Sequence, residues 1–216
     1  MYQRPQSHVR VANAPSLLGQ VLGITAVGFL ITALATYLFP ATPRMIGIVA
    51  MLAGFGLLFA INGTRANGGL SLLLFYAFTF AEGIGIAPVI AAYIRVDGPG
   101  VVIDAATTTG FGMLILGAIA FTFSVDWRRF QGIAFGALMA LVIVGLLSAF
   151  FHFLHPGVYA WATLAIFTLL TLVDFSRIRA GGDTFTPVQL AVQIYLDAIN
   201  IFLAFLQIFG NRSSRD

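Results

Sequence analysis

Seven long apolar runs, each about the length needed to cross a bilayer, dominate this 216-residue chain. A membrane-spanning helix needs about 20 apolar residues to cross roughly 30 Å of hydrocarbon. Short breaks rich in glycine, proline and charged residues separate the runs, and such residues suit tight connections. The pattern predicts helices over 17–39, 44–62, 69–94, 105–124, 130–152, 157–177 and 187–209.

Composition agrees with this pattern. The chain is 59% hydrophobic and 9% charged, whereas soluble domains carry about 25% charged residues. We therefore predict an all-α integral membrane protein. The absence of cysteine excludes a disulfide framework, thiol catalysis and cysteine-bound metals. All eleven basic residues are arginines without a polybasic block, so we expect the lipid bilayer, and no nucleic acid, as a partner.

The N-terminal segment carries Arg4 and Arg10 and is similar to the charged part of a signal peptide. The apolar run after it has the length of a full span, without a convincing small-x-small cleavage site, so we expect a retained first helix. The predicted organisation is a cytoplasmic tail over 1–16, a seven-helix transmembrane domain over 17–210 and a short polar tail over 211–216.

Arginine distribution predicts the orientation, because cytoplasmic loops are enriched in basic residues. The N-terminal tail and alternate loops hold seven arginines, and the opposite side holds four. The seven are Arg4, Arg10, Arg65, Arg128, Arg129, Arg177 and Arg179, and the four are Arg44, Arg95, Arg212 and Arg215. This favours a multi-pass membrane protein with a cytoplasmic N-terminus and a C-terminus on the far side. A six-span alternative with a re-entrant last segment would return the C-terminus to the cytoplasm.

Small residues at G-x-x-x-G spacing occur twice, at Gly19 and Gly23 and at Gly132 and Gly136. Small residues let membrane helices approach closely. We therefore interpret the glycines mainly as packing residues and hinges.

Three of the eight acidic residues fall at membrane depth: Glu82, Asp174 and Asp197. An intramembrane carboxylate costs at least about 2.5 kcal/mol and usually faces a bundle interior or a wet cavity. The other acids fall in predicted loops or tails, namely Asp97, Asp104, Asp126, Asp183 and Asp216.

The last apolar run carries a polar stripe. Its members recur at spacings of 4, 4, 3, 4 and 3 residues, which is helical periodicity: Gln189, Gln193, Asp197, Asn200, Ala204 and Gln207. A polar stripe on an apolar span faces other helices or water rather than lipid. The seventh helix is therefore predicted to be central in the bundle.

Asp174 and Asp197 lie towards the same side of the membrane in this topology. Asp197 sits roughly 15 Å along helix seven from Pro187, at 1.5 Å per residue, so equal depth requires a helix that begins outside the membrane or tilted helices. Two close carboxylates in a low-dielectric site share one proton. Such a pair binds a proton or a hard cation, and Arg65 is on the correct side to compete for it.

Three segments carry a resemblance to a known family: "YAFTFAEGIGIAPVIAAY", "TLLTLVDFSRIR" and "IYLDAINIFLAFLQIFG". The chain resembles the prokaryotic-type Bax inhibitor-1 family, the transmembrane Bax inhibitor motif proteins, from about residue 17 to 210. The resemblance implies a seven-helix fold with a central last helix and a pH-sensitive calcium leak sensed by Asp174 and Asp197. Compared with eukaryotic relatives, the small size and the short polar C-terminus favour the plasma (inner) membrane of a prokaryote. Arg65 matches an arginine that pairs with the aspartates in some relatives, and Glu82 matches a position that is acidic in some members.

Calcium takes six to eight oxygen ligands, and Asp174, Asp197 and Asn200 supply too few without water and carbonyl oxygens. A transient site of this kind suits permeation. We rank Asn200, Glu82 and Gln193 as supporting polar residues and expect no cofactor, with calcium as the transported ion.

Other functional classes are weaker. Asp174 and Asp197 lack the Gly-x-Gly-Asp context of intramembrane aspartyl proteases, and the Gly-x-Ser-Gly of rhomboid-type serine proteases is missing. The segment "HFLH" at His152 and His155 lacks the glutamate of a zinc protease motif. We therefore expect no enzyme. A proton-coupled transporter is a further reading, but no inverted repeat is evident and seven spans do not divide equally. The main alternative is a non-conducting protein that binds membrane protein partners and regulates a protease complex or stress and cell-death machinery.

Overall fold

The computed structural model describes residues 14–213, which fold into seven long α-helices and one short 3-10 turn. The bounds are α1 Ala14–Leu38, α2 Arg44–Gly63, α3 Gly68–Asp97, α4 Gly100–Thr122, α5 Gln131–Phe151, α6 Pro156–Arg179 and α7 Pro187–Ser213. The 3-10 turn, Trp127–Phe130, leads directly into α5. Each of the seven is long and apolar enough to cross a membrane, so the predicted all-α, seven-span class is confirmed.

Helix α4 begins at Gly100, five residues before the predicted start at 105. Gly98 ends α3 in the left-handed region, with φ of +78°, and Pro99 then starts α4 at once. Proline suits a helix start because the first turn leaves its missing N–H unused. Asp104, which we placed in a loop, therefore lies in a helix, with an exposed side chain.

The predicted tails overlap the helices at both ends. Helix α1 already begins at Ala14, and α7 continues to Ser213. Residues 1–13 and 214–216, the remaining parts of the tails predicted over 1–16 and 211–216, lie outside the described residues. The division into tails and a transmembrane domain stays a prediction.

Helix α7 lies at the centre of the bundle, as its polar stripe predicted. It packs against α1, α3, α4 and α6, whereas α2 packs mainly on α3 and α5 mainly on α6. The outer helices keep large apolar side chains exposed, such as Leu52 at 67% and Phe150 at 78%. Lipid tails cover such faces in a bilayer, where the helices already satisfy their own backbone groups.

Close approach of α1 and α3 holds one side of the core together. Thr32 Oγ1 donates to the carbonyl oxygen of Thr79 at 2.9 Å and lies 2.7 Å from the hydroxyl of Tyr195 on α7. A Cβ added at Gly83 would lie 2.5 Å from the carbonyl oxygen of Thr32. The absence of a side chain at Gly83 is therefore what lets the two helices touch.

The glycines singled out by G-x-x-x-G spacing do not form such contacts. A Cβ added at any of the four would meet no atom within 4 Å among the described residues, which applies to Gly19, Gly23, Gly132 and Gly136. The packing role predicted for them within this chain is wrong, because their helix faces point away from the bundle. Close contacts between helices occur at other glycines, among them Gly47, Gly83 and Gly85.

Candidate functional site

Asp174 of α6 and Asp197 of α7 face each other where the two helices pack together. Both are buried, with 6% and 4% of their surface exposed, and their carboxyl groups are hydrogen-bonded to each other. Helix α6 continues to Arg179, two residues past its predicted end. Asp174 thus lies five residues inside α6, at the depth of Asp197.

A hydroxyl completes the surroundings of the pair on α6. Thr171, one turn before Asp174, is fully buried, and its hydroxyl donates to the carbonyl oxygen of Phe167 at 2.7 Å and lies beside the carboxyl of Asp197. Asp197 Oδ2 has no hydrogen-bond partner within the described part of the chain. A buried polar atom left without a partner costs about 1–3 kcal/mol. One oxygen of the pair is therefore available to a further ligand.

Arg177 supplies a buried positive charge next to the pair. It lies one turn after Asp174 and is only 4% exposed. Its Nη1 donates to Asp174 Oδ1 at 2.5 Å and to Gln193 Oε1 at 2.8 Å, and Nη2 donates to Gln131 Oε1 at 2.9 Å. The guanidinium also lies over the ring of Phe185, 4.7 Å from its centroid. Burial of a charge is tolerated when it is paired and hydrogen-bonded.

The charges of this cluster do not balance when both acids are ionised. Arg177 contributes one positive charge, and Asp174 and Asp197 together contribute two negative charges. An uncompensated ion in a protein interior costs several kcal/mol. Neutrality of the cluster therefore requires either one proton shared by the carboxyl pair or one bound cation.

A chain of ion pairs connects the buried cluster to the surface. Asp183, in the α6–α7 connection, places Oδ2 at 3.8 Å from Arg177 Nε and accepts from Arg128 Nη1 at 2.8 Å. Arg128 also pairs with Asp126 at 2.8 Å. Side-chain exposure is 4% at Arg177, 38% at Asp183, 35% at Arg128 and 52% at Asp126, so the series runs from the interior to the surface. The α4–α5 and α6–α7 connections are thereby linked to each other and to Arg177.

The backbone of the α6–α7 connection makes this arrangement possible. Gly181, Gly182 and Asp183 have φ values of +93°, +90° and +53°. Aspartate is one of the few non-glycine residues that adopt the left-handed region readily. The reversed turn directs the Asp183 side chain towards Arg128 and Arg177 at once.

Arg65 lies elsewhere in this conformation. It is exposed in the connection between α2 and α3 and forms no hydrogen bond or ion pair with any described residue. The position next to Asp174 that we predicted for Arg65 is taken by Arg177. Arg177, which we counted as a loop arginine, therefore belongs to the bundle interior. A role for Arg65 in another conformation stays a prediction.

The three residues that we ranked as supporting do not all lie at the aspartate pair. Gln193 joins the cluster through Arg177, whereas Asn200 donates to the carbonyl oxygen of Leu196 in its own helix at 2.7 Å. Glu82 is buried in α3 and is not bonded to the aspartate pair. In the described part of the chain, no group of three or more His, Cys, Asp or Glu residues has a metal-binding arrangement. A calcium ion at the pair would draw most of its ligands from water and neutral oxygens.

Sequence reasoning missed Gln131 and Asp183 as partners of Arg177. Gln131 is 46 residues away and opens α5, so no local pattern connects it to α6. The spacing of Asp174 and Arg177 did carry a signal, because residues three apart share a helix face.

The fold and the site define a class: a seven-helix membrane protein with a central last helix and a buried aspartate pair on its last two helices. The model of the family described as "Inhibitor of apoptosis-promoting Bax1" matches residues 14–214. The chain therefore belongs to the Bax inhibitor-1 family, as its three motifs predicted.

Relatives extend over nearly the whole chain. A membrane protein of Vibrio cholerae is 27% identical over 100% of this chain and 98% of its own length. The inner membrane protein YbhL of Escherichia coli is 25% identical, with 93% and 94% covered. The Golgi anti-apoptotic protein of Vaccinia virus is 27% identical, with 93% and 86% covered. The family thus includes bacterial inner membrane proteins and an anti-apoptotic viral relative.

Proposed function

We propose that this protein is a pH-sensitive calcium leak of the inner membrane, with its N-terminus in the cytoplasm. The observation that carries the proposal is the burial of two carboxyl groups and only one arginine at the contact of α6 with the central helix. A site with one excess negative charge holds a proton at low pH and attracts a cation when that proton leaves.

The exchange of a proton for calcium follows from the chemistry of the pair. With one proton shared, Arg177, Asp174 and Asp197 are neutral together and the contact between α6 and α7 is stable. Loss of the proton leaves a buried negative charge and an unpartnered oxygen on Asp197. Calcium prefers oxygen ligands, and competition from Arg177 keeps its binding weak, as permeation requires. We therefore propose that calcium flux rises with pH. The proposal assigns no catalytic reaction or cofactor.

Calcium flux into liposomes containing the purified protein, followed with a trapped indicator over a pH series, tests the proposal. Asp197→Asn and Asp174→Asn preserve shape and remove titration, so each should abolish the pH dependence. Asp104→Asn makes the same change at an exposed position of α4 and should retain the wild-type profile. A wild-type profile in Asp197→Asn contradicts the role of the pair.

A second candidate is a non-conducting protein that binds membrane partners and regulates a protease complex or stress and cell-death machinery. The observation that favours it is the viral relative named as an anti-apoptotic protein. The same liposomes separate the two functions. A leak gives flux in the absence of any partner, whereas a pure interaction protein gives none at any pH, although its melting temperature confirms that it is folded.

A further inference from the structure

A second polar site lies at the other end of α6 and α7. An open cavity of about 410 Å³ is lined by α5, the start of α6 and the last part of α7. Ser148, His152, Tyr159 and Gln207 contribute its polar groups. Tyr159 and Asp174 are 15 residues apart on α6, which is roughly 22 Å at 1.5 Å per residue. The cavity and the aspartate pair therefore lie in opposite halves of the membrane.

One face of α6 leads from this cavity to the pair. Its residues recur at spacings of four, four, four and three, which keeps them on one side of a helix: Tyr159, Thr163, Phe167, Thr171 and Asp174. Thr163 and Thr171 are buried, and their hydroxyls donate to the carbonyl oxygens of Tyr159 and Phe167 at 2.8 and 2.7 Å. Each hydroxyl donates its only proton to the backbone of its own helix. Its oxygen therefore remains available as a hydrogen-bond acceptor to groups outside α6.

The polar stripe of α7 runs in the same direction. It continues from Asp197 through Asn200 and Ala204 to Gln207, which lines the cavity. Both helices thus offer oxygen-bearing or small side chains at intervals between the pair and the cavity.

A cluster of three apolar side chains interrupts this route. Phe167 of α6 packs with Leu141 of α5 and Ile201 of α7, and the three are 6%, 7% and 2% exposed. Phe167 is the one apolar residue in the polar face of α6. Hydrophobic constrictions close pores because water does not wet them. The cluster lies between Thr163 on the cavity side and Thr171 on the side of the pair.

We propose that calcium leaves the aspartate pair along the contact of α5, α6 and α7. The cavity at Tyr159 and Gln207 is the outer vestibule for the hydrated cation, and Phe167, with Leu141 and Ile201, is a hydrophobic gate in series with the aspartate pair. This inference rests on the proposed calcium leak. Helix α5 packs mainly on α6, so a small displacement of α5 separates Leu141 from Phe167 and opens the gate.

Cysteine accessibility tests the route without using calcium. The natural chain has no cysteine, so single replacements report one position each. A charged, membrane-impermeant thiol reagent applied from the vestibule side should modify Gln207→Cys. It should not modify Phe202→Cys, which is on the same helix but lines the large apolar cleft beside α1 and α4. Equal modification of both, or of neither, overturns the vestibule.

Access beyond the gate gives a second criterion. Thr171→Cys should resist the reagent in the otherwise natural chain and should become reactive when Phe167 is replaced by alanine. A cysteine at Thr171 that reacts equally with and without Phe167 contradicts the gate. Melting temperatures of the variants in detergent establish that they are folded.

Flux through Phe167→Ala supplies the functional arm. Calcium flux at low pH, where the wild type is expected to be closed, should rise several-fold in Phe167→Ala. Phe175→Ala is the matched control, because it makes the same change in α6 at a residue that is also buried, with 4% exposed. Phe175 packs over Gly117 of α4, away from the proposed gate. The low-pH calcium flux of Phe175→Ala should therefore stay at the wild-type level. Equal increases in both variants indicate general loosening and overturn the gate.

The two proposals fail in different ways. If the wild-type protein gives no calcium flux at any pH, the leak is contradicted. The accessibility of Gln207→Cys and the dependence of Thr171→Cys on Phe167 still decide whether a gated aqueous route exists. If wild-type flux is normal and the accessibility pattern is absent, the leak stands and this route is wrong.

Discussion

Arg177 decides whether α6 can be placed against α7. A guanidinium has five N–H groups and no acceptor, and here it reaches a carboxylate and two glutamine oxygens from three helices. Replacement of one glutamine leaves the charge paired. Replacement of the arginine leaves Asp174 buried beside Asp197 with no counter-charge.

Arg177→Leu should therefore lower the free energy of unfolding by about 3–5 kcal/mol, the usual cost of breaking a buried ion pair from one side. The measurement is denaturation in mixed micelles near neutral pH. Combining Arg177→Leu with Asp174→Leu should recover much of the loss, since no unpaired ion then remains at that position.

Arg65→Leu is the matched control for this prediction. The same chemical change is made in an exposed side chain without an ion pair, so we expect a stability change within about 0.5 kcal/mol. If Arg65→Leu proves as damaging as Arg177→Leu, the conformation in which Arg177 alone neutralises the pair is contradicted.

At the scale of helices, contact between α1 and α3 depends on Gly83. Gly83→Ala should destabilise the protein by about 1–3 kcal/mol, the usual cost of inserting a methyl group into a packed contact. The added Cβ would clash with the carbonyl oxygen of Thr32 and would lie 2.7 Å from the Cβ of Ala35. Gly19→Ala places the same methyl group in open space on α1. We expect it to stabilise the helix by about 0.5–1 kcal/mol, and thermal melting of both variants compares them.

The connection between α4 and α5 carries its own pH response. The hydrogen bond from the Arg128 side chain lowers the pKa of Asp126 below its ordinary value. Because the pKa of Asp126 is lowered in the folded state, the ionised carboxylate stabilises the fold above the ordinary aspartate pKa of about 3.9. This stabilisation is lost as the pH falls below that value and the carboxylate is protonated. The melting temperatures of wild type and Asp126→Asn should differ at neutral pH and converge under strong acid. Arg128→Gln should show the same convergence, and parallel curves for wild type and Asp126→Asn would contradict it.

Helices were predictable because their signals are local. Run length and breakers placed all seven, and the spacing from Gln189 to Gln207 identified α7 as central. The meeting of Asp174 and Asp197 needed only a hairpin of consecutive helices. The counter-ion was assigned to Arg65 because both it and Arg177 lie at the same end of the bundle. The spacing of three residues between Asp174 and Arg177 favours Arg177, and the packing of α6 against α5 and α7 brings its guanidinium to Gln131 and Gln193.

At the scale of the whole molecule, seven spans place the two ends of the described chain on opposite sides of the membrane. We propose that the connection after α2 is cytoplasmic and the connection after α1 is external. In intact cells, Ala66→Cys should resist an impermeant thiol reagent and Ala41→Cys should react. The reverse pattern contradicts the orientation. It leaves the helix arrangement unchanged, because the contacts between the helices are the same in either orientation.

The central position of α7 also has a consequence for biosynthesis. Ribosomes synthesise α7 after α1, α3, α4 and α6, the helices that surround it. Until it inserts, Arg177 lacks Gln193, and Asp174 lacks Asp197, so α6 holds partly paired ions against lipid. A nascent chain stalled before Pro187 therefore has an open and charged centre. Insertion of α7 is the step that completes the bundle, because only then does Asp174 meet Asp197 and Arg177 gain its hydrogen bond to Gln193.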